Sequence, residues 1–195
     1  MFRYKYFLLL VMLFGCTTAF AQVKRVDTTV MVGKAGYKVF TNNKNAEKND
    51  VTIKPVGFDK EARDVTIEVK GRIKKVEVDD LNNDGFPDLV LYVYNGEGGV
   101  YGNVFGISSE KNQNMQPIIF PDLLDDAKLK TGYKGHDEFK LLEGTLIRRF
   151  PVYNTADSTA TQPTNVIRGI QYNVINSEGG RLKFKVVRSY EANKQ

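Results

Sequence analysis

Apolar residues in this chain recur at every second position, and that period limits what it can build. Val65-Thr-Ile-Glu-Val-Lys70 alternates strictly and Ile73-Lys-Lys-Val-Glu-Val78 nearly so, with Gly71-Arg72 between them as a turn signal. Successive strand side chains point to opposite faces, so such segments are half-buried strands. Asp88-Leu-Val-Leu-Tyr-Val-Tyr94 is apolar almost throughout, which predicts a central strand. Val100 to Ile107 reads as another, loosened by Gly102 and Gly106. Glu138-Phe-Lys-Leu-Leu142 and the run from Thr145 to Tyr153 flank Glu143-Gly144, a hairpin turn. Val166 to Ile175 and Leu182 to Val187 flank a second hairpin turn at Asn176 to Gly180, and Tyr37, Val39, Val51 and Ile53 mark two weaker strands. One short helix is predicted over Pro121 to Leu129, where Pro121 suits the first turn. Thr41 to Asp50 and Asn154 to Asn165 read as polar loops, and no internal repeat is present. Many short strands divided by Gly, Asn and Asp turns predict an all-β fold, an antiparallel β-sandwich or barrel-like single domain over 22–195 with one short helix.

The first 21 residues predict export. Met1 to Tyr6 carries Arg3 and Lys5 and leads into the apolar run Phe7 to Phe14. That run is about half the ~20 residues of a spanning helix, so it reads as a signal peptide rather than an anchor. Ala19-Phe20-Ala21 places small residues at −3 and −1 for cleavage after Ala21, with a mature start at Gln22. The alternative is Leu13-Phe14-Gly15-Cys16, a lipoprotein-like box with Cys16 as the lipidated terminus. The expected address is periplasmic or secreted, with no later segment apolar enough to span a membrane.

Composition removes several function classes. Cys16 is the sole cysteine and lies in the leader, so the mature chain has no intramolecular disulfide and no cysteine-based zinc site. A single histidine and no tryptophan leave no His-rich metal catalysis. Without Arg3 and Lys5 the formal charge of +5 falls to +3, too weak an excess to argue for nucleic acid.

Three segments carry chemistry. Asp80-Leu-Asn82-Asn-Asp84-Gly85-Phe-Pro-Asp88 places oxygens at positions 1, 3, 5 and 9 and glycine at 6, the first part of a calcium loop. Leu91 stands where an EF-hand needs its bidentate glutamate, so an EF-hand is excluded. Asp80, Asn82, Asp84 and Asp88 are then either ligands of a non-EF Ca2+ site or the backbone-bonding side chains of a tight turn. Asn95 to Gly102 holds four glycines in the seven residues from Gly96, with Tyr101 beside them as an aromatic, hydroxyl-bearing anchor. Thr131 to Asp137 contains Tyr133 and His136. His136 and Asp137 are adjacent and so point apart on extended chain, which argues against an acid–base pair. Arg149, with Arg148 and Lys134, adds positive charge nearby.

Taken in order, these segments resemble the periplasmic inhibitors of I-type (invertebrate) lysozymes. The matching residues are Asp80 to Asp88, Tyr101-Gly102, Gly132 to Phe139 and Arg149 to Tyr153, spanning about Lys75 to Tyr153. The resemblance implies a sandwich-like β fold, no catalysis, and a loop inserted into the lysozyme's cleft. On that implication Gly98, Gly99, Val100, Tyr101, Gly102, Tyr133, His136 and Arg149 are the partner-binding residues, and I-type lysozyme is the partner. A second copy of this chain is the other candidate partner. The family's loop carries a serine where this chain has Gly98. That departure keeps open an alternative, a calcium-stabilised domain that binds another envelope or glycan-processing protein without inhibiting lysozyme.

Overall fold

The structure, a computed structural model, describes residues 25–59, 62–157 and 159–194. The leader, Cys16 and both expected processing sites lie outside the described residues. Four strands, β1 (Val26–Val32), β2 (Ala35–Thr41), β3 (Asn49–Val56) and β4 (Val65–Val69), form one antiparallel sheet in that order. The next eight are β5 (Arg72–Asp79), β6 (Asp88–Asn95), β7 (Tyr101–Ser108) and β8 (Gln116–Ile119), then β9 (Glu138–Leu142), β10 (Thr145–Tyr153), β11 (Pro163–Asn176) and β12 (Leu182–Asn193). They form a second sheet in the order β5-β6-β7-β8-β12-β11-β10-β9, antiparallel except where β8 meets β12.

The large sheet curls until its ends approach. In the β9–β10 turn the Gly144 N–H donates to Asp79 Oδ2 at the end of β5, at 2.9 Å. The result is a nearly closed barrel whose interior holds Val90, Tyr92, Leu146, Phe150, Ile170, Tyr172 and Phe184. The four-stranded sheet covers the outside of β5–β7, packing Tyr37, Val39, Val51 and Ile53 against Ile73, Leu89, Leu91, Val93 and Ile107. Strand β6 therefore divides its side chains between two cores, Val90 and Tyr92 inward, Leu89, Leu91 and Val93 outward. That is why its sequence is apolar without alternation.

Three sequence-based expectations differ from the structure. Val65–Lys70 and Ile73–Val78 are strands but not a hairpin: at Gly71 the chain passes from one sheet to the other. Within the polar segment 41–50, Asn43 Nδ2 donates to Ile73 O (2.9 Å), Ile73 N donates to Asn43 Oδ1 (2.8 Å), and Asn49 Nδ2 donates to Gly71 O (2.7 Å). Buried asparagines thus stitch the two sheets where the chain changes layer. The expected helix over Pro121 to Leu129 is reduced to a 3-10 turn at Leu123–Asp125. Asp122 Oδ1 accepts from Leu124 N, and Asp126 Oδ1 accepts from both Lys128 N and Leu129 N. These aspartates offer the backbone local partners that compete with a helical ladder. Among the described residues the one short helix lies instead at Glu110–Gln113, a single turn with φ of 43°, 60° and 60° at Glu110, Lys111 and Asn112, the left-handed region. Strands β1 and β8 were not legible, the first a half-exposed edge and the second four residues long with Pro117 inside.

Leu91→Ala tests the double burial of β6. It should destabilise the fold by about 2–5 kcal/mol in urea denaturation, while the exposed Leu142→Ala on edge strand β9 stays within about 0.5 kcal/mol of the parent.

Candidate functional site

The β6–β7 connection is short and glycine-rich, so the chain reverses tightly beyond the last ladder pair, Asn95 opposite Tyr101. Gly99 N donates to Gly96 O at 3.0 Å, closing a 3-10 turn over Glu97–Gly99. Tyr101 opens β7 at the barrel rim and is 45% exposed. Its ring lies between two stretches of main chain that have to lack side chains. A Cβ on Gly96 would sit 2.7 Å from the ring and one on Gly135 would sit 3.0 Å from it. Tyr133 meets it edge-on, with centroids 6.1 Å apart.

A buried polar network holds this rim from beneath. Asp137 and Arg148 form an ion pair, Nε donating to Oδ1 at 2.6 Å, with both side chains almost wholly buried. Asp137 Oδ2 also accepts from Gly102 N at 2.7 Å and from the Tyr133 hydroxyl. Arg148 Nη2 donates to Gly102 O at 3.2 Å and to the Tyr133 oxygen at 2.9 Å. Both peptide groups of Gly102, the residue after Tyr101, are therefore gripped by one ion pair. Val100 O, the residue before, accepts from His136 N, and Tyr94 OH donates to Asp137 O at 3.1 Å. The aromatic surroundings of Arg148 (Tyr133, Phe139 and Phe150 rings) lie within 5.2–5.9 Å of its guanidinium. Burial, reinforced by the neighbouring Asp137 carboxylate, pushes the Tyr133 phenol well above its ordinary pKa, so it stays a hydrogen-bond donor.

Gly98, Gly99, Val100, Tyr101, Gly102 and Tyr133 are thus brought together on one rim. His136 and Arg149 are not part of the same surface. With Glu138, Pro151 and Lys194 they line a separate cleft of about 410 Å³, and the His136 ring stacks near Tyr153 instead, at 6.4 Å. The two residues that matter most beneath the rim, Asp137 and Arg148, were not singled out from sequence as binding residues. Strand period could have found Arg148: it shares a face with Leu146 and Phe150, which puts it inward and Arg149 outward.

Asp80, Asn82, Asp84 and Asp88 share one turn. Asp80 accepts from Asp84 N at 3.0 Å and from Gly85 N at 2.9 Å, and Asp84 accepts from Phe86 N at 2.9 Å. Asp88 is fully buried and turned into the fold, accepting from Leu81 N at 3.0 Å and from Ser109 N at 3.2 Å. Carboxylates held this way bond the backbone of a tight turn. Among the described residues no group of three or more His, Cys, Asp or Glu side chains is placed to hold a metal. No helix among the described residues is long and apolar enough to cross a membrane. Comparison with family models and with curated proteins finds no match to this chain.

Two measurements check these environments. Asp137→Ala leaves Arg148 buried and unpaired, and should cost about 3–5 kcal/mol of unfolding free energy. Burial raises the Asp88 pKa to about 6, only partly offset by hydrogen bonds from the Ser108 hydroxyl and the Ser109 and Leu81 amides. The folded chain therefore holds this proton more tightly than the unfolded one, from the ordinary value of 3.8. The stability it contributes is full below pH about 4 and declines as pH rises through about 6, by on the order of 3 kcal/mol. Asp88→Asn should lack that slope in denaturation curves taken from pH 4 to 7.

Proposed function

We propose that this chain is an exported protein inhibitor of I-type lysozymes that places Tyr101 and its glycine-rich loop in the enzyme's cleft. The observation that carries the reading is the half-exposed Tyr101 ring at the barrel rim, on a backbone gripped by the Asp137–Arg148 pair. A glycosidase cleft presents two carboxyl groups between sugar subsites, one of them kept protonated to act as the acid. A projecting phenol can hydrogen-bond to such a carboxyl while its ring fills a subsite, and it offers no bond to cleave. Glycines on either side let main chain enter a narrow groove.

Rigidity decides affinity in this mechanism. Ordering a flexible loop on binding costs roughly 0.5–1.5 kcal/mol per immobilised side chain. A loop already held through both peptide groups of Gly102 avoids most of that cost. Gly98 supplies no hydroxyl where the resembling family has serine, so Tyr101 and the main chain provide the polar contacts. The protein acts by occupancy, and it turns over no substrate.

The test is inhibition of an I-type lysozyme, with goose- and chicken-type lysozymes as controls. Tyr101→Ala should raise the inhibition constant at least about 30-fold, equivalent to ~2 kcal/mol, with little change in melting temperature. Equal inhibition by the variant would move the contact to another surface.

A further inference from the structure

Beside the Tyr101 rim runs a cleft of about 390 Å³ walled by Tyr101, Tyr133, Phe120 and the Pro121–Leu124 turn. A second cleft of about 370 Å³, reaching Glu68 and Lys70, shares Asn95, Asn103 and Asp122 with it. The two volumes thus meet along one polar ridge and form a single elongated groove, each half within the usual size of a small-molecule site. Its two halves differ in character. One is aromatic, with exposed Tyr101 and half-buried Phe120; the other is polar.

The ridge has hydrogen-bonding groups to offer. Asn103 Oδ1 accepts from Val104 N, which leaves its NH2 group uncommitted, and Asp122 Oδ1 accepts from Leu124 N, which leaves Oδ2. The Asn95 carboxamide and the Tyr101 hydroxyl have no hydrogen-bond partner among the described residues. The four ridge groups, neutral but for one carboxylate, therefore offer donors and acceptors along a groove that has aromatic residues at one end. The only guanidinium lining it, Arg148, is already neutralised by Asp137. Glu68 is paired with Lys48 at 3.1 Å, which leaves Asp122 against Lys70, so the groove has no charge excess to draw a polyanion such as nucleic acid or a sulfated chain.

We propose that this groove binds a short oligosaccharide of neutral pyranose units. A pyranose has an apolar C–H face that packs on the negative face of an aromatic ring. It also has a rim of hydroxyls, each donor and acceptor, that match carboxamides and a carboxylate oxygen. An acetamido substituent would find its partners in Asn95 and Asn103. This reading is separate from lysozyme inhibition, because it requires no second protein, and each can fail alone.

The experiment titrates the full chain with tri-N-acetylchitotriose and, separately, with cellotriose, following amide shifts by NMR. Saturable shifts centred on Tyr101, Asn103 and Asp122 with either sugar are expected. Asn103→Ala and Asp122→Asn should each weaken binding at least ten-fold, the latter keeping the acceptor that holds the Leu124 turn. Both positions are exposed, and unchanged melting temperatures show that each variant is folded. Absence of shifts with both sugars at 10 mM, shifts centred elsewhere, or undiminished binding by both folded variants would overturn the proposal.

Discussion

Everything on the rim depends on a carboxylate and a guanidinium buried together under it. Asp137 and Arg148 come from different parts of the chain, the approach to β9 and the middle of β10, and both bond to Gly102 at the start of β7. Strands β7 and β9 are not neighbours in the large sheet, so this pair spans the barrel where no ladder does. Each charge loses its hydration and is compensated by the other, by the Gly102 peptide groups and by the Tyr133 hydroxyl. Such a pair contributes less to net stability than its short distance suggests, but removing one partner is costly. Its effect is to impose one geometry: Gly102 cannot shift without leaving a buried donor or acceptor unmet.

That constraint links the fold to the surface. The large sheet closes because polar contacts join its distant ends, Gly144 to Asp79 at one end and Gly102 to Arg148 near the other. Tyr101 lies next to the second junction, where the main chain is held by hydrogen bonds despite its glycines. Glycine-rich sequence is usually read as flexibility. Here Gly96 and Gly135 are needed because the Tyr101 ring occupies the volume a side chain would take. Close packing and exposure coexist on the same residue: the two edges of the ring lie against the Gly96 and Gly135 backbones, and nearly half of the side chain is presented to solvent.

How much of this was legible follows from what each signal reports. Period two located β4 and β5 and an unbroken apolar run located β6, since both patterns are local properties of the chain. It did not tell that β4 and β5 belong to different sheets, because Gly71 reads the same at a hairpin as at a crossing. The polar run 41–50 read as loop, whereas Asn43 and Asn49 are partnered by main chain some 20 to 30 residues away, a relation no local pattern encodes. The aspartates that cap turns at Leu124 and Leu129 overrode the helical expectation by supplying nearer partners. At the candidate site, composition pointed to Tyr101 and its glycines. Asp137 was read only as the neighbour of His136, because its significance is tertiary, and Arg148 was visible only through the inward phase of β10.

The groove beside Tyr101 and the proposed inhibitory loop share that residue, and the sharing has a physical consequence. A pyranose stacked on Tyr101 would cover the surface that a lysozyme cleft must also cover, so the two occupants exclude one another at the aromatic end. Asn103 and Asp122 border both halves, and the polar half continues from them to Glu68 and Lys70. A sugar held there alone would leave Tyr101 uncovered. Occupancy of the two halves therefore sets whether glycan and enzyme compete or bind together, and chain length of the sugar selects between these cases. The ion pair beneath holds the Gly102 backbone in the same place for either arrangement.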